Sequence, residues 1–445
     1  MLKQITLLAA GLVLAARVGA AQQQGPLRLT FADAVRRAAS QAPAVALAGA
    51  RSDEAAARVR QTRSALLPGL SASAGWVNRT FNRHSLGIEF PTIPGQEPLP
   101  DLIGPFDTWD ARVSLRQTVL DPSSWARVRA VTAQVRSAEA DEGAVRESAA
   151  QAASAAYLRA ARAAALVLAR TADSAIATEL LTLARAQRQA GVSAAIDETR
   201  AETQLVAAQG ELVVARNQRD RALLDLARTI GVDPLQPLEL ADTLSAAMGA
   251  AEVPDEPGAA IQLALAQRSD LAAERSRGDA ARQGLSAVSA ERLPRLDLAA
   301  DYGANGPLVG SMIRTGQIGV QVTWPILDGW RREGRHDEQR ALVEEAEVRA
   351  RDLAQQIAAE VQGAFLDLAA AEAQGRIANE RLRLAEQELE QARDRFRAGV
   401  AGNIEVINAQ GSLLQARDAD INARYAAAAA RVSLARAVGV AKTIH

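Results

Sequence analysis

The amino-acid sequence predicts a mainly α-helical protein that also contains four β-strands of membrane-spanning length. Three observations predict this fold class: long segments with coiled-coil spacing, four short stretches in which apolar and polar residues alternate, and an internal duplication. Apolar positions three and four residues apart are typical of packed helices, whereas a period of two is typical of a strand with one buried face.

The composition favours long, closely packed helices and excludes several classes of function. Alanine makes up roughly a quarter of the residues, and such small side chains let helices approach closely. The 51 basic and 52 acidic residues nearly balance, so no charge pattern indicates a nucleic-acid partner. Because the sequence has no cysteine, it has no disulfide, thiolate metal site, thiol nucleophile or lipid-modified N-terminal cysteine.

The N-terminus has the order of a secretory signal peptide. Lys3 precedes an apolar run from Ile5 to Ala16, and the small residues Val18-Gly19-Ala20 follow. This order predicts a signal peptide over residues 1–20, with cleavage after Ala20. The apolar run is shorter than the ~20 residues that span a bilayer, and we expect no later apolar run of spanning length.

The rest of the chain is a duplication. Ala190-Gly191-Val192 matches Ala398-Gly399-Val400, 208 positions later. Upstream, residues 34–68 match residues 260–294 at an offset of 226, so one loop is shorter in the second half. We therefore expect a first repeat over residues 21–232, a linker or equatorial segment over 233–258 and a second repeat over 259–445.

Each repeat contains two alternating stretches that predict a β-hairpin, about residues 67–120 in the first and 293–327 in the second. The predicted loops run through Phe90–Pro100 and Gly303–Pro307. Strands of ~10 residues are long enough to cross a membrane when tilted, and aromatic residues stand at strand ends, as at a membrane interface. These aromatic residues are Trp76, Tyr302 and Trp324. The alternative is a small water-soluble sheet packed on the helices.

Most of the remaining sequence predicts helix. Thr30, with Asp33 three residues later, is a predicted N-cap for a helix from Phe31 to about Ala65. A second helix from about Trp125 to Ala190 contains no proline and would be ~100 Å long. Glycines at 191 and 399 end the long helices and turn the chain back.

The residue inventory argues against an enzyme. His84, His336 and His445 are scattered, and no His-Glu-x-x-His, phosphate-loop or Gly-x-Ser-x-Gly motif is present. Acidic and basic pairs such as Glu344-Glu345 and Arg36-Arg37 are typical of hydrated helix faces. We expect no catalytic residue, no metal and no cofactor.

Three short segments resemble the TolC family of outer membrane efflux proteins. Residues 29–35 resemble the family's opening helix, and Arg268-Ser269-Asp270-Leu271 resembles its Arg-Pro-Asp-Leu element, with Ser269 in place of proline. Arg395–Gln410 is similar to the family's helix, glycine turn and helix, with an acidic residue six positions after Gly399. The resemblance covers nearly the whole mature chain.

The resemblance implies a fold and a function. In such a homotrimer, four transmembrane strands per protomer close a 12-stranded β-barrel, and antiparallel coiled-coil helices form a periplasmic α-barrel. The chain would be a passive exit duct of a tripartite efflux or type I secretion system in the outer membrane of a Gram-negative cell. Its partners would be a periplasmic adaptor protein and an inner membrane transporter. The alternative function is a secreted coiled-coil scaffold without a channel.

Strand alternation and the two helix reversals give further candidate site residues, although the reversals could also be ordinary helix-turn-helix links. Arg112, Arg116, Asp297 and Asp301 would face the lumen, while a set of apolar strand residues faces lipid: Leu70, Ala72, Val113, Leu115, Leu298, Val320 and Val322. The tips that contact the adaptor would be the turns Gly191-Val192-Ser193 and Gly399-Val400-Ala401.

A pore gate is expected beside these tips. The family places two acidic residues, three positions apart, on the helix after the tip, and the matching residues are Glu405 and Asn408. The second ring would therefore be uncharged. The first repeat has Asp197 and Arg200 at these positions, so a contact of Asp197 or Glu405 with Arg200 would lock the tunnel at rest. The alternative places these charges on the outer wall, facing solvent.

Overall fold

A computed structural model describes residues 26–87 and 100–444. The predicted signal peptide, residues 1–20, and all of the predicted loop Phe90–Pro100 except Pro100 lie outside these ranges. The described residues form six strands, namely β1 (Leu27–Leu29), β2 (Gly69–Asn82), β3 (Leu102–Leu120), β4 (Leu238–Leu240), β5 (Arg295–Gly306) and β6 (Ile313–Thr323). They also form eight α-helices: α1 (Phe31–Gln41), α2 (Pro43–Arg63), α3 (Pro122–Gln189), α4 (Ala195–Thr229), α5 (Pro257–Gln267), α6 (Ser269–Ala290), α7 (Arg331–Arg397) and α8 (Asn403–Val438).

The chain divides into two compact units. The helical unit comprises the described residues of 1–50, 140–272 and 351–445, and the sheet unit comprises those of 51–139 and 273–350. Four helices (α2, α3, α6 and α7) contribute residues to both units.

The sheet unit contains an antiparallel four-stranded sheet in the order β2-β3-β5-β6. Its ladder shifts register between Arg79 and Phe81 and between Thr118 and Leu120, as at β-bulges. The predicted second loop, Gly303–Pro307, is wrong for its first four residues, because β5 keeps its pairing up to Gly306. A Cβ at Gly303 would meet the Ala111 carbonyl oxygen at 2.3 Å, so this glycine permits close strand approach rather than a turn.

The predicted helix from Phe31 to about Ala65 is wrong in one respect, because it is two helices. The Thr30 hydroxyl accepts a 3.1 Å hydrogen bond from the Asp33 N–H, which confirms the predicted N-cap. The chain then leaves the helix at Ala42, whose ψ is 141°. Pro43 causes this break, since a proline disfavours helical geometry in the residue before it.

The helical unit is built on two helical hairpins, one in each half of the chain. Helix α3 has 68 residues and α7 has 67, and the partner helices α4 and α8 have 35 and 36. Apolar seams join α3, α4, α7 and α8, for example through Leu181, Leu389 and Leu413. One 18-residue window of α3 has a mean hydropathy of 1.2 and is 39% buried. By length and composition this helix could span a membrane, so the expectation that no such segment follows the signal peptide is wrong. Alanine supplies much of that hydropathy.

The four long helices end in the same kind of cap. The long helices α3, α4, α7 and α8 are followed by glycines in the left-handed region, with φ of +74°, +72°, +71° and +87° at Gly191, Gly231, Gly399 and Gly439. In each case the next residue is valine, whose N–H bonds a carbonyl five residues back, as from Val192 to Gln187 and from Val400 to Arg395, both 3.0 Å. This is a Schellman motif, in which glycine has no steric cost at the left-handed position.

The segment expected to be a linker, residues 233–258, also contains a strand. Within it, β4 pairs in parallel with β1 from the start of the described chain. The buried Tyr157 hydroxyl donates to the Leu29 carbonyl at 3.1 Å, and its ring packs edge-on against Phe31 at 5.5 Å. The first described residues are thus fixed to α3 through the helical unit's main core.

Candidate functional site: the sheet faces and the helical tips

One face of the sheet is apolar and exposed. Register places Leu70 opposite Leu115, Leu115 opposite Ala300 and Ala300 opposite Ile318. Because side chains alternate along each strand, this row and its neighbours bring together the seven residues predicted to face lipid: Leu70, Ala72, Val113, Leu115, Leu298, Val320 and Val322. Leu70 is 73% exposed and Val320 is 67% exposed. An apolar face of this extent requires a partner or a lipid environment.

The opposite face is polar and contains internal ion pairs. It carries the four residues predicted to face the lumen: Arg112, Arg116, Asp297 and Asp301. Arg112 reaches Asp301 across the strand pair at 3.2 Å, and the Thr118 hydroxyl donates to Asp297 at 3.0 Å. Arg112, Asp297 and Asp301 are thus paired on the side away from the apolar face.

The sheet is open at both ends. Within the described residues, β2 pairs only with β3, and β6 pairs only with β5. Their outer edges thus present backbone N–H and C=O groups without a strand partner. Such edges are templates for pairing with another strand.

The two helical tips both expose a valine. Val192 is 74% exposed and Val400 is 66% exposed, each directly after its left-handed glycine. The last tip residues, Ser193 and Ala401, are half-buried. Each tip therefore presents one apolar side chain on a backbone whose direction the Schellman motif fixes.

Two amide side chains fasten the tips to each other. The Asn403 Nδ2 group donates to the Asp197 carbonyl oxygen at 2.8 Å, and the Gln187 Nε2 group donates to the Phe396 carbonyl oxygen at 3.2 Å. Asn403 is fully buried, and its Oδ1 atom has no hydrogen-bond partner in the described part of the chain. Sequence reasoning missed this residue, and its only signal was a polar side chain directly after the glycine turn.

The candidate gate residues are paired within the chain. Asp197 lies 3.7 Å from Arg200 and is 18% exposed as a side chain. Glu405 instead contacts Arg395 at 2.9 Å, across its own turn. Asn408 is exposed. The structure thus brings Asp197 and Arg200 together and pairs Glu405 with a different arginine.

Glu198 is a further charged tip residue that sequence reasoning missed. Its carboxylate accepts hydrogen bonds from Arg188 and, at 3.1 Å, from Arg185, both on the last turns of α3. The Arg188 hydrogen bond is the main cause that holds the pKa of Glu198 below its ordinary value; desolvation opposes it, and the Arg185 hydrogen bond adds to it. The signal was available as an Arg-x-x-Arg pair before the turn and an acidic pair after it.

Farther from the tips, Arg170 joins α3 to α8. Its side chain is 9% exposed, and it donates to both oxygens of Asp418 at 2.6 Å and to Asp173 at 3.0 Å. Burial opposes its charge, but the hydrogen bonds to Asp418 and Asp173 outweigh burial and raise the pKa of Arg170. Hydrogen bonds between two charged groups are shorter and stronger than those between neutral groups.

The histidines are not assembled into a site. His84 contacts Asp101 at 2.9 Å on the surface, His336 is half-buried, and His445 lies outside the described residues. Over the ranges that the structure covers, no group of three or more His, Asp or Glu side chains is arranged to hold a metal ion.

The family profile described as outer membrane efflux protein matches residues 34–232 and 260–440. The chain belongs to the outer membrane efflux protein family. The two matched segments together cover most of the chain and flank the segment that contains β4.

Named relatives and solved structures agree with this family. Protein CyaE of Bordetella pertussis is 27% identical over 402 residues, which cover 87% of this chain and 79% of that protein. The pyoverdine export outer membrane protein OpmQ of Pseudomonas putida is 25% identical over 272 residues, covering 59% of this chain and 56% of that protein.

The fold is similar to that of outer membrane channels of known structure. The outer membrane protein VceC of Vibrio cholerae has a TM-score of 0.75 at 21% identity, covering 92% of this chain and 96% of that one. The outer membrane channel CmeC of Campylobacter jejuni has a TM-score of 0.76 at 18% identity, covering 92% and 86%.

Proposed function

We propose that the chain is the protomer of a homotrimeric outer membrane channel that serves as the passive exit duct of a tripartite efflux or type I secretion system. The observation that carries the proposal is the open four-stranded sheet, which has one exposed apolar face and one polar face. Membership of the outer membrane efflux protein family supports the same function.

The open edges explain why a trimer is proposed. In lipid, each unpaired backbone group costs several kcal/mol, so only closed barrels of strands span a membrane. Four strands are too few to close around a pore, whereas three copies supply twelve. In that arrangement the apolar face meets lipid, and Arg112, Arg116, Asp297 and Asp301 line a water-filled lumen.

The helical unit supplies the remaining proposals. The hairpins of α3–α4 and α7–α8 would form the periplasmic tunnel, with Val192 and Val400 contacting an adaptor protein that links the duct to an inner membrane transporter. Asp197 and Glu405 would line the narrow end, and the Asp197–Arg200 contact of 3.7 Å would help hold it closed. The two repeats, 21–232 and 259–445, would each supply one β-hairpin and one helical hairpin.

The duct needs no reaction and no cofactor, because transport through it is passive. Since the sequence has no cysteine, the protein would be held in the membrane by its strands rather than by a lipid. The relative OpmQ is described as exporting pyoverdine, and export of solutes is the function that we propose for this chain.

Fractionation with gel mobility tests the proposal against the alternative of a secreted coiled-coil scaffold. We expect the protein in the outer membrane fraction, migrating as a trimer in unheated detergent and as a monomer after boiling. A protein that washes off the membrane and migrates as a monomer without heating would be a scaffold. Purified trimer should also conduct ions across a planar bilayer.

A further inference from the structure

The segment after β6 presents a row of exposed apolar side chains. Trp324 is 66% exposed, Ile326 83%, Leu327 84% and Trp330 75%. We call residues 324–330 the Trp330 knuckle. Water is a poor solvent for four large apolar side chains within seven residues, so this surface has a partner outside the chain.

The knuckle is held in a defined conformation by one buried arginine. Arg332 is 8% exposed and donates to the Pro325 carbonyl at 3.0 Å, to the Ile326 carbonyl at 3.3 Å and to the Asp328 carboxylate at 2.9 Å. These bonds fix the backbone just before α7. The apolar side chains are therefore displayed on an ordered support rather than on a loose loop.

Trp330 occupies a position that is locally unfavourable for tryptophan. Its φ is +66°, in the left-handed region that favours glycine, and it is the non-glycine residue with positive φ in the described chain. Its carbonyl accepts the first hydrogen bond of α7, from the Gly334 N–H at 3.0 Å. A helix-capping position prefers a short polar side chain or glycine, and strain of this kind clusters at functional positions.

The N-cap of α3, which corresponds to that of α7, is an ordinary one. There Asp121 accepts hydrogen bonds from the Ser123 N–H at 3.0 Å and from the Ser123 hydroxyl at 2.7 Å at the start of α3. In the second repeat, the Asp328 carboxylate binds Arg332, and an exposed tryptophan stands at the cap. Within the described residues neither burial nor a side-chain cap compensates Trp330, which points to a contact of its ring outside the chain.

The surroundings identify a lipid surface. Val320 and Val322 lie on the apolar face of the sheet, and Trp324 continues their alternation beyond the strand. The Trp324 Nε1 group donates to the Arg292 carbonyl at 3.1 Å, so its polar atom is satisfied while its ring stays exposed. Arg331, directly after Trp330, is exposed and supplies a positive charge beside the rings, as at phospholipid headgroups.

We propose that the Trp330 knuckle is a phospholipid-binding anchor, which inserts Trp330, Ile326 and Leu327 at the headgroup–acyl boundary of the periplasmic leaflet. The proposal rests on the function proposed above, because that function places the sheet in the outer membrane. A second copy of the chain fits this surface less well. In the proposed trimer the next copy pairs with the backbone edge of β6, whereas side chains on the faces of a strand point away from that edge. The anchor would fix the depth of the barrel in a protein without a lipid-modified cysteine.

Depth-resolved fluorescence tests the anchor. The Trp330-only variant replaces Trp76, Trp109, Trp125 and Trp324 with Phe and is reconstituted into phosphatidylethanolamine–phosphatidylglycerol vesicles containing brominated phosphatidylcholine. We expect bromines near the headgroup end of the acyl chain to lower Trp330 emission about twofold, and bromines at mid-chain to lower it less. If aqueous iodide quenches Trp330 emission and the brominated lipids do not, the ring lies in water and the proposal is overturned. If neither iodide nor bromine quenches Trp330, a neighbouring copy of the chain covers the ring, and this result would also overturn the proposal.

Two further variants separate the possible failures. In a Trp76-only variant, the tryptophan lies on the apolar face of the sheet, so bromine quenching of Trp76 without quenching of Trp330 rejects the anchor alone. Absence of quenching at Trp76 as well would reject the membrane location of the sheet. Should the multiple replacements prevent folding, Trp330→Phe in the otherwise native chain is compared with the unaltered protein. The anchor predicts a smaller total quenching by shallow bromines, and equal quenching contradicts it.

Discussion

Arg268 shows how single residues secure the helical unit. Its side chain is 3% exposed and pairs with Asp270 at 2.6 Å and with Glu360. It also lies against Gly439, where a Cβ would meet the Arg268 Cγ atom at 3.0 Å. The Arg-Ser-Asp-Leu element noted in the sequence is therefore a structural junction between the start of α6, α7 and the end of α8.

Replacing Arg268 with Met should destabilise the protein strongly. The change leaves the partly buried carboxylates of Asp270 and Glu360 without their cation, which costs about 3 kcal/mol. Burial raises the pKa of each carboxyl, but the Arg268 hydrogen bonds outweigh it and hold both pKa values below the ordinary 3.8 and 4.5. A lowered folded-state pKa stabilises the fold above the unfolded pKa, and the stabilisation is lost as pH falls through the folded value.

Thermal unfolding followed by circular dichroism checks both effects. Arg268→Met should lower the midpoint near neutral pH, and its stability should fall less steeply than that of the unaltered protein as the pH drops below about 4.5. The matched control is Arg383→Met, which removes an exposed pair with Glu380 and should leave the unfolding midpoint nearly unchanged, because water screens such a pair. Parallel pH curves for Arg268→Met and the unaltered protein would contradict the role given to Arg268.

Glu405 is the residue that tests the proposed gate. Under three-fold symmetry its carboxylate becomes a ring of three, which favours cations. Glu405→Ala should therefore reduce cation preference and divalent block in single-channel recordings. Asp394→Ala, at a carboxylate that is 67% exposed on α7, is the control. Unchanged recordings for Glu405→Ala would remove Glu405 from the pore.

At the scale of elements, local signals predicted most of the fold. The Thr30 cap, the alternation in β2 and the glycine turns at 191 and 399 depend on residues close in sequence. The pairing of β1 with β4 joins segments more than 200 residues apart, and no local pattern encodes it. The break at Ala42 did have a signal in Pro43, but the apolar pattern continues across it.

The candidate sites likewise include features that local sequence predicts and features that depend on distant contacts. The two sheet faces follow from alternation, so the register groups the seven apolar residues as the sequence grouped them. The burial of Asn403 and the pairing of Glu198 depend on which helices meet, and Arg170 binds Asp418 across 248 positions. Contacts of this kind are set by packing of the whole hairpin and could not be derived from spacing.

Neighbouring residues of β3 test the sheet orientation. Because the native sequence lacks cysteine, Arg116→Cys and Leu115→Cys each carry a single thiol. We expect a membrane-impermeant maleimide to label position 116, which the proposed channel would turn toward its water-filled lumen, and to leave position 115, which would face lipid, unlabelled. The opposite register would put arginine into lipid at about 2–4 kcal/mol near the midplane. Strong labelling at 115 with none at 116 would reverse the two faces.

The second tip tests adaptor docking. Gly399→Asp places a side chain on a residue with φ of +71°, which costs about 1–2 kcal/mol, and it adds a charge beside the exposed Val400. We expect the trimer to persist while site-specific crosslinking to the periplasmic adaptor is lost. Gly375→Ala, in the α7 interior where an added Cβ meets no atom within 4 Å, should leave crosslinking unchanged. Intact crosslinking in Gly399→Asp would show that the adaptor binds elsewhere.

At the scale of the whole molecule, the open sheet and the long hairpins have one common explanation. An apolar face needs lipid, and open edges in lipid need pairing strands. In the proposed trimer, a second and third copy of the chain would supply those strands, and the same symmetry would gather the tips and the carboxylates of Asp197 and Glu405 around one axis. The proposed trimer would thus give the sheet and the helices parts in the same channel.

Disulfide crosslinking between the outer edges of β2 and β6 tests this closure most directly. Variants combine Ser73→Cys on β2 with Gln317→Cys, Gly319→Cys or Gln321→Cys on β6, all on the polar face, in a chain with no other thiol. Cysteines on paired neighbouring strands come close enough for a disulfide. Closure predicts that at least one combination gives a covalent trimer on a boiled, non-reducing gel. Dithiothreitol should return this trimer to monomer, and each single-cysteine variant should stay monomeric. Monomer from every combination, in protein recovered from the outer membrane, would contradict a barrel closed by three copies.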